Sequence, residues 1–104
     1  MPDAETESPT GKRTVGVPWY AREAYPDILA MMEDAHSLAR TYEQWLAAAE
    51  NNEAEARRAG VQVVRVPLDP AIFARWCADR GARPTRASRV EYVNEVLRRD
   101  SGDE

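Results

Sequence analysis

The chain has 104 residues, a formal net charge of −4 at pH 7 and a single cysteine. This length fits one domain with a modest core and excludes a large enclosed active site. One cysteine excludes an internal disulfide and fits a reducing compartment, so we expect a cytoplasmic protein. No apolar run approaches the roughly 20 residues of a membrane-spanning helix, and the polar, acidic N-terminus is not a secretory signal.

The charge is divided unevenly along the chain. Residues 20–59 carry four arginines against eight carboxylates, whereas residues 61–99 carry eight arginines against four carboxylates. The two halves therefore have net charges of −4 and +4. Opposite charges of this size could attract one another within one chain or between two chains.

The ends of the chain differ from its middle. Residues 1–13 are polar, contain two prolines and lack apolar periodicity, which predicts a disordered tail. A single domain spans 14–99, and 100–104 form a frayed acidic tail. Thr14–Pro18 is the first apolar patch and could be a short extended piece.

Two helices are predicted in the acidic half. Pro26 suits the first turn of a helix, and apolar residues at helical spacing continue that helix to about His36. Thr41 and Gln44 form a capping-box pattern, which begins a second helix that ends at Gly60. We expect the two helices to form an antiparallel hairpin.

One β-strand is predicted at 61–67, where β-branched residues predominate. Pro67 lacks a backbone donor, so the strand ends there or that position faces outward. Asp69 followed by Pro70 is typical of a helix start, and Gly81 ends that helix.

A last helix begins at Ser88, or at Thr85, which competes as its cap, and runs to about Arg99. The fold class is therefore α+β: a helical hairpin, one short β-strand, then two helices. The residues expected on the apolar stripes of the helices are Trp45, Leu46, Ile72, Phe73, Trp76, Cys77, Val90 and Val93.

A lone strand leaves a row of backbone donors and acceptors that must find partners. Thr14–Val17 is the one candidate within the chain, but it is short, contains Gly16 and ends at Pro18. We therefore expect 61–67 to pair with the same strand of a second chain in a symmetric homodimer. That pairing would bury the inward strand positions Val64, Val66 and Leu68.

The sequence offers little for chemistry. Glu33 and His36 are metal-ligand types but make an incomplete site, and His36 is the only histidine. Cys77 lies on an apolar stripe, where burial disfavours the reactive thiolate. We expect no catalytic residue, metal or cofactor, and so no enzyme.

An aromatic cluster, Trp19, Tyr20 and Tyr25, precedes the first helix. Aromatic residues of this kind either cover the core of a small domain or anchor a protein interface. Both alternatives are open from the sequence.

Residues 61–97 resemble the ribbon-helix-helix DNA-binding fold, in which a short strand pairs with its twin across a dimer axis and two helices follow. The matching features are the inward strand positions Val64, Val66 and Leu68, the Asp69-Pro70 helix start, Gly81, and Thr85-Arg-Ala-Ser88. The resemblance implies that the other strand face enters the major groove of DNA. The DNA contacts would then be Val63, Arg65 and Arg86.

The chain also resembles a set of short bacterial proteins of proteobacterial type that have no assigned activity. The matching motifs are Trp19-Tyr20-x-Arg22-Glu23-x-Tyr25, Thr41-Tyr42-x-x-Trp45 and Phe73-x-x-Trp76-Cys77. We therefore expect a small bacterial non-enzymatic protein-interaction or structural module that self-associates and binds an unknown protein partner. The alternative is a ribbon-helix-helix DNA-binding regulator.

Overall fold

The computed structural model describes residues 13–100, in which helices lie on both faces of a two-stranded sheet. In chain order the elements are β1 (Thr14–Trp19), α1 (Tyr25–Met31), α2 (Tyr42–Arg58), β2 (Gln62–Pro67), α3 (Pro70–Arg80) and α4 (Arg86–Asp100). Helices and one small sheet together confirm the α+β class. Of the predicted tails, 1–13 and 100–104, only Arg13 and Asp100 lie within the described residues, and Asp100 is the last residue of α4 rather than part of a frayed end. Within 13–100 no helix could cross a membrane.

The two strands of the sheet are parallel, with Thr14 opposite Gln62. The amide of Gln62 donates to the carbonyl of Arg13 at 2.7 Å, and that of Leu68 donates to Trp19 at 3.0 Å. In a parallel ladder, alternate residues of a strand bond to the same neighbour. The even-numbered residues of β2 and the odd-numbered residues of β1 therefore direct their backbone groups toward the other strand.

Both strands carry a proline at a position that faces away from the partner strand. Pro18 and Pro67 fall on the outward-facing set, where the missing N–H removes no hydrogen bond of the ladder. Pro67 was expected either to end the strand or to face outward, and it does both. Pro18 does not end β1, which continues to Trp19.

The prediction that 61–67 lacks an adequate partner in its own chain is wrong. β1 is six residues long and pairs along the whole of β2. It is stabilised by α4, which lies so close that a Cβ on Gly16 would be 2.7 Å from Cγ1 of Val93. A ribbon of two strands is marginal in water, but packing against helices stabilises it. The parallel pairing therefore needs no second chain, and it uses only one edge of β2.

Parallel strands require a crossover connection, and residues 20–61 supply it. Its main element is α2, which begins where Thr41 Oγ1 accepts a hydrogen bond from the Gln44 amide at 3.1 Å. The helix is continuous over 17 residues and is followed by Gly60 with a φ of 87°. The predicted second helix is thus confirmed at both ends.

The predicted hairpin of the first two helices does not form. α1 ends at Met31, well before His36, because Met32 adopts extended backbone and lies buried in the core. The helix packs against α3, and its contact with α2 is made by the ring of Tyr25. The amide of Glu33 then donates a hydrogen bond to the carbonyl of Pro84, between α3 and α4.

Both predicted core tryptophans, Trp45 and Trp76, are 9% exposed and belong to one hydrophobic core. Two other predictions are wrong, since Ile72 is 58% exposed and Val90 is 48% exposed. The buried positions of α3 and α4 lie on neighbouring stripes instead. They are Phe73, Trp76 and Cys77 in α3, and Ser88, Arg89, Tyr92 and Val93 in α4.

The two oppositely charged halves of the chain attract one another within the monomer. Glu33 pairs with Arg83 at 2.8 Å, and Asp34 pairs with the buried Arg89 at 3.3 Å. Asp34 also accepts a hydrogen bond from the Arg86 amide at 2.9 Å, so a carboxylate of the acidic half caps a helix of the basic half. These contacts fix the turn after α1 against α4.

Candidate docking groove between α2 and the sheet

A cavity of about 270 Å³ lies between β1 and α2. It exists because the odd-numbered strand residues face α2, while α2 presents short alanine side chains that leave room above them. The wall is mostly apolar and is formed by Val15, Val17, Trp19, Trp45, Ala48, Ala49, Ala56 and Val63. Val15 is 38% exposed, so the cavity opens to solvent at β1 and forms a groove.

Two polar residues, Asn52 and Glu53, line the groove, and the side chain of Glu53 is only 5% exposed. Arg65 binds this carboxylate through two hydrogen bonds of 2.8 Å, and Arg57 adds a third of 3.3 Å. The hydrogen bonds from Arg65 lower the pKa of Glu53, and the same contacts raise the pKa of Arg65. The carboxylate is therefore ionised at neutral pH with its charge matched, which makes it a poor proton acceptor.

Arg65 also fixes the position of the Trp19 ring. Its guanidinium carbon lies 3.9 Å from the ring centroid, a cation–π contact. The Trp19 ring also contacts the Trp45 ring edge-on, with 5.1 Å between the two ring centroids. A chain of contacts from Glu53 to Trp45 thus holds the aromatic wall of the groove in place.

The aromatic residues predicted as either a core lid or an interface divide between the two roles. Tyr20 and Tyr25 are each 2% exposed, and Tyr25 donates a hydrogen bond to the Ala39 carbonyl at 2.6 Å. Burial raises the pKa of Tyr20 to about 12. These two rings fill the core, whereas Trp19 is half-buried and lines the groove.

The strand positions expected in a dimer interface pack inside the monomer. Val66 and Leu68 are each 3% exposed within the core, and Val64 is half-buried against it. On the other strand face, Val63 is 8% exposed beneath α2 and Arg65 is held by its ion pair. Part of the face that the ribbon-helix-helix resemblance assigned to DNA therefore lies beneath α2, although the side chain of Arg65 is 46% exposed.

Arg86, the third expected DNA contact, is exposed in the first turn of α4. Its backbone amide is bonded to Asp34, so this helix start is already capped by a carboxylate. Arg86 lies in α4, whereas Val63 and Arg65 lie in β2, on the face of the sheet that packs against α2. The three residues therefore do not form the predicted ribbon surface.

Comparison of the chain with protein-family models, curated proteins and solved structures finds no match in any of the three. The chemistry of the groove is therefore inferred from its own geometry. Across residues 13–100, no group of three or more His, Cys, Asp or Glu side chains is arranged to hold a metal ion. Burial raises the pKa of the Cys77 thiol, which disfavours the nucleophilic thiolate.

Sequence reasoning identified Trp19 as a candidate interface residue but missed Val15, Ala49 and Glu53. A signal was present, because Val15, Val17 and Trp19 alternate as on one face of a strand. The position of Glu53 beneath Arg65 had no comparable signal. It depends on how α2 lies across the sheet, which the local sequence does not encode.

Proposed function

We propose that the protein is a small non-enzymatic protein-interaction module and that the groove between α2 and β1 is its docking surface. The observation that carries the proposal is an apolar groove that opens at the exposed Val15 and has a fixed aromatic wall. Apolar hollows of this kind suit the side chains of a partner protein, since the centre of an interface is apolar and depleted of charge.

The non-enzymatic character is supported by how the reactive side chains are engaged. Glu53 is bound by two arginines and has a lowered pKa, so it is unsuited to general base catalysis. Cys77 is buried and its pKa is raised. A reduced, buried cysteine also agrees with the proposed cytoplasmic location.

Self-association is part of the proposal in a form that differs from the predicted one. Because β1 occupies one edge of β2, a second copy would pair along the opposite edge, where Val63 and Arg65 direct their backbone groups. A dimer would sediment with twice the chain mass of 11.7 kDa. Sedimentation at micromolar concentration distinguishes this species from a monomer.

The docking groove is tested by charge insertion at its mouth. Val15→Glu places a carboxylate there, and Ile72→Glu is the matched control, because Ile72 is an exposed apolar residue that does not line the groove. Each protein is used as bait in an extract of the source cells, and captured proteins are quantified by mass spectrometry. Circular dichroism and Tm confirm that both variants are folded.

We expect at least one protein to be captured by the wild type and by Ile72→Glu, and lost with Val15→Glu. Direct binding of the purified pair, measured by calorimetry, then establishes the interaction. Identical captured sets for all three baits would contradict the role of the groove. A partner lost with Ile72→Glu and kept by Val15→Glu would place the docking surface on α3 instead.

A further inference from the structure

The size of the docking groove limits what it can hold. Its volume is about 270 Å³. An apolar cavity of about 150 Å³ binds benzene, whereas pockets for drug-sized ligands measure about 300–1,000 Å³. The groove is therefore larger than a single benzene ring needs and smaller than a pocket for a drug-sized molecule. One bulky side chain of a partner protein, with two fused rings, lies within these limits.

One wall of the groove is aromatic and suits an aromatic occupant. The rings of Trp19 and Trp45 are inclined to one another by 68°, and the guanidinium of Arg65 holds the Trp19 ring in place. Aromatic rings prefer edge-to-face and offset-stacked contacts, which stabilise a pair beyond the apolar area that it buries. An entering ring can therefore contact one tryptophan with its face and the other with its edge.

The polar residues of the groove favour an uncharged occupant that carries a hydrogen-bond donor. Glu53 is ionised, but Arg65 and Arg57 match its charge. A charged side chain would therefore lose its hydration in the groove without gaining an opposite charge. Asn52, at the exposed margin of the groove, contributes an amide oxygen, which is an acceptor. An indole combines two apolar rings with one N–H donor.

We propose that the docking groove binds a tryptophan side chain of a partner protein. The indole ring packs against Trp19 and Trp45, and its N–H donates a hydrogen bond to the side chain of Asn52. This proposal rests on the docking groove proposed above and specifies the chemistry of the partner. Tryptophan is also among the residues that most often contribute a large share of the binding energy at protein interfaces.

A second copy of the chain does not supply this side chain. The three tryptophans of the sequence are Trp19, Trp45 and Trp76. Trp19 and Trp45 already form the groove wall, and Trp76 is 9% exposed in the core. Residues 1–12 contain no aromatic residue of any kind. The proposal therefore places the entering tryptophan in a different protein.

The test uses a capped pentapeptide, Gly-Gly-Trp-Gly-Gly, as the probe. Leucine replaces tryptophan in one control peptide, and 1-methyltryptophan, which has no N–H, replaces it in another. Binding to the ¹⁵N-labelled full chain is followed by NMR. We expect a dissociation constant of about 1 mM, because one side chain makes most of the contact. The leucine peptide should bind at least about fivefold more weakly, and the methylated peptide at least about threefold more weakly.

The location of the bound side chain is tested by three variants. Ala49→Leu fills the groove, whereas Ala47→Leu makes the same substitution in α2 at an exposed position that does not line it. We expect Ala49→Leu to weaken binding of the tryptophan peptide at least about tenfold and Ala47→Leu to bind as the wild type does. Asn52→Ala should weaken the tryptophan peptide about threefold and leave the methylated peptide unchanged. Tm and circular dichroism confirm that each variant is folded, and the three peptides test the wild type independently of any variant.

The tryptophan proposal is overturned if its peptide does not bind at about 10 mM, or if the leucine or the methylated peptide binds equally well. Amide shifts centred outside the groove, or unchanged binding by a folded Ala49→Leu variant, would also overturn it. A partner protein lost with Val15→Glu, together with no peptide binding, would leave the docking groove standing and exclude only tryptophan as its occupant. The absence of both would contradict the docking groove itself.

Discussion

Replacing Gly16 by alanine should destabilise the protein, because the new methyl group has no room beneath α4. It would lie 2.7 Å from Cγ1 of Val93 and 3.2 Å from Cδ2 of Leu97. Alanine restricts the unfolded chain and would by itself stabilise by about 0.4–1 kcal/mol, whereas overpacking a core costs about 1–3 kcal/mol. Val93 is 1% exposed and cannot turn toward solvent, so overpacking should dominate. We expect a net loss of about 1–2 kcal/mol, which lowers the Tm by about 4–16 °C.

A double-mutant cycle assigns this loss to the contact with Val93. Val93→Ala removes two methyl groups and should cost about 1.6 kcal/mol in transfer free energy, together with a further term for the cavity left behind. In the double variant, the methyl group added at position 16 occupies part of that cavity. The loss of stability in the double variant should then be smaller than the sum of the two single losses by about 1 kcal/mol or more. Urea unfolding followed by tryptophan fluorescence and circular dichroism measures all four free energies.

Val15→Ala serves as the control, because Val15 lies on the opposite face of β1 and lines the groove. Its effect should add to that of Val93→Ala without coupling. A neutral Gly16→Ala that is also additive with Val93→Ala would refute the packing of β1 against α4. The strand at 62–67 would then lack the covered partner described above, and pairing across a dimer would again be needed.

The remaining predictions concern pH, the cysteine and the core. Burial alone would raise the pKa of Asp34, but the Arg86 amide and the charge of Arg89 outweigh it and hold that pKa below its ordinary value. The stability contributed by this carboxylate is therefore present above about pH 4 and is lost as the pH falls through the lowered pKa. Asp34→Asn should accordingly lose less stability in acid than the wild type does. Urea unfolding from pH 7 to 3 measures this difference. Cys77 should react with a thiol reagent far more slowly in the native state than in denaturant, and equal rates would show that the site is accessible. Trp76→Ala should cost about 3–5 kcal/mol in thermal or urea unfolding. Trp76→Phe should cost less, since the buried indole N–H of Trp76 has no hydrogen-bond partner among the described residues.

Features encoded by a few adjacent residues could be predicted from the sequence. Asp69 accepts hydrogen bonds from the amides of Ala71 and Ile72, as an Asp-Pro helix start requires. Gly81 ends α3 with a φ of 65°. The strand after Gly60 was identified because β-branched residues predominate in it. Each of these signals acts over fewer than about five residues, so tertiary structure does not alter it.

Features that depend on distant segments could not be predicted. Val90 was placed in the core and Arg89 was not, because apolar stripes are assigned without knowledge of ion pairs. In the structure Arg89 is buried by Asp34, which lies 55 residues earlier in the chain. Likewise, the strand Thr14–Trp19 is stabilised because α4 packs over it, and no local pattern in the strand predicts that packing. The candidate groove was anticipated only at Trp19 for the same reason.

The contact between β1 and α4 also affects the order of folding. The first strand of the described chain meets its ladder partner 48 residues later and its covering helix near Val93, still further along. Contacts of such long sequence separation form slowly, because a large loop must close before they contribute. During synthesis, β1 therefore stays unpaired until β2 has emerged and uncovered until α4 has emerged, while α2 can already form from local contacts. The sheet then closes in a late step that joins the beginning of the domain to its end.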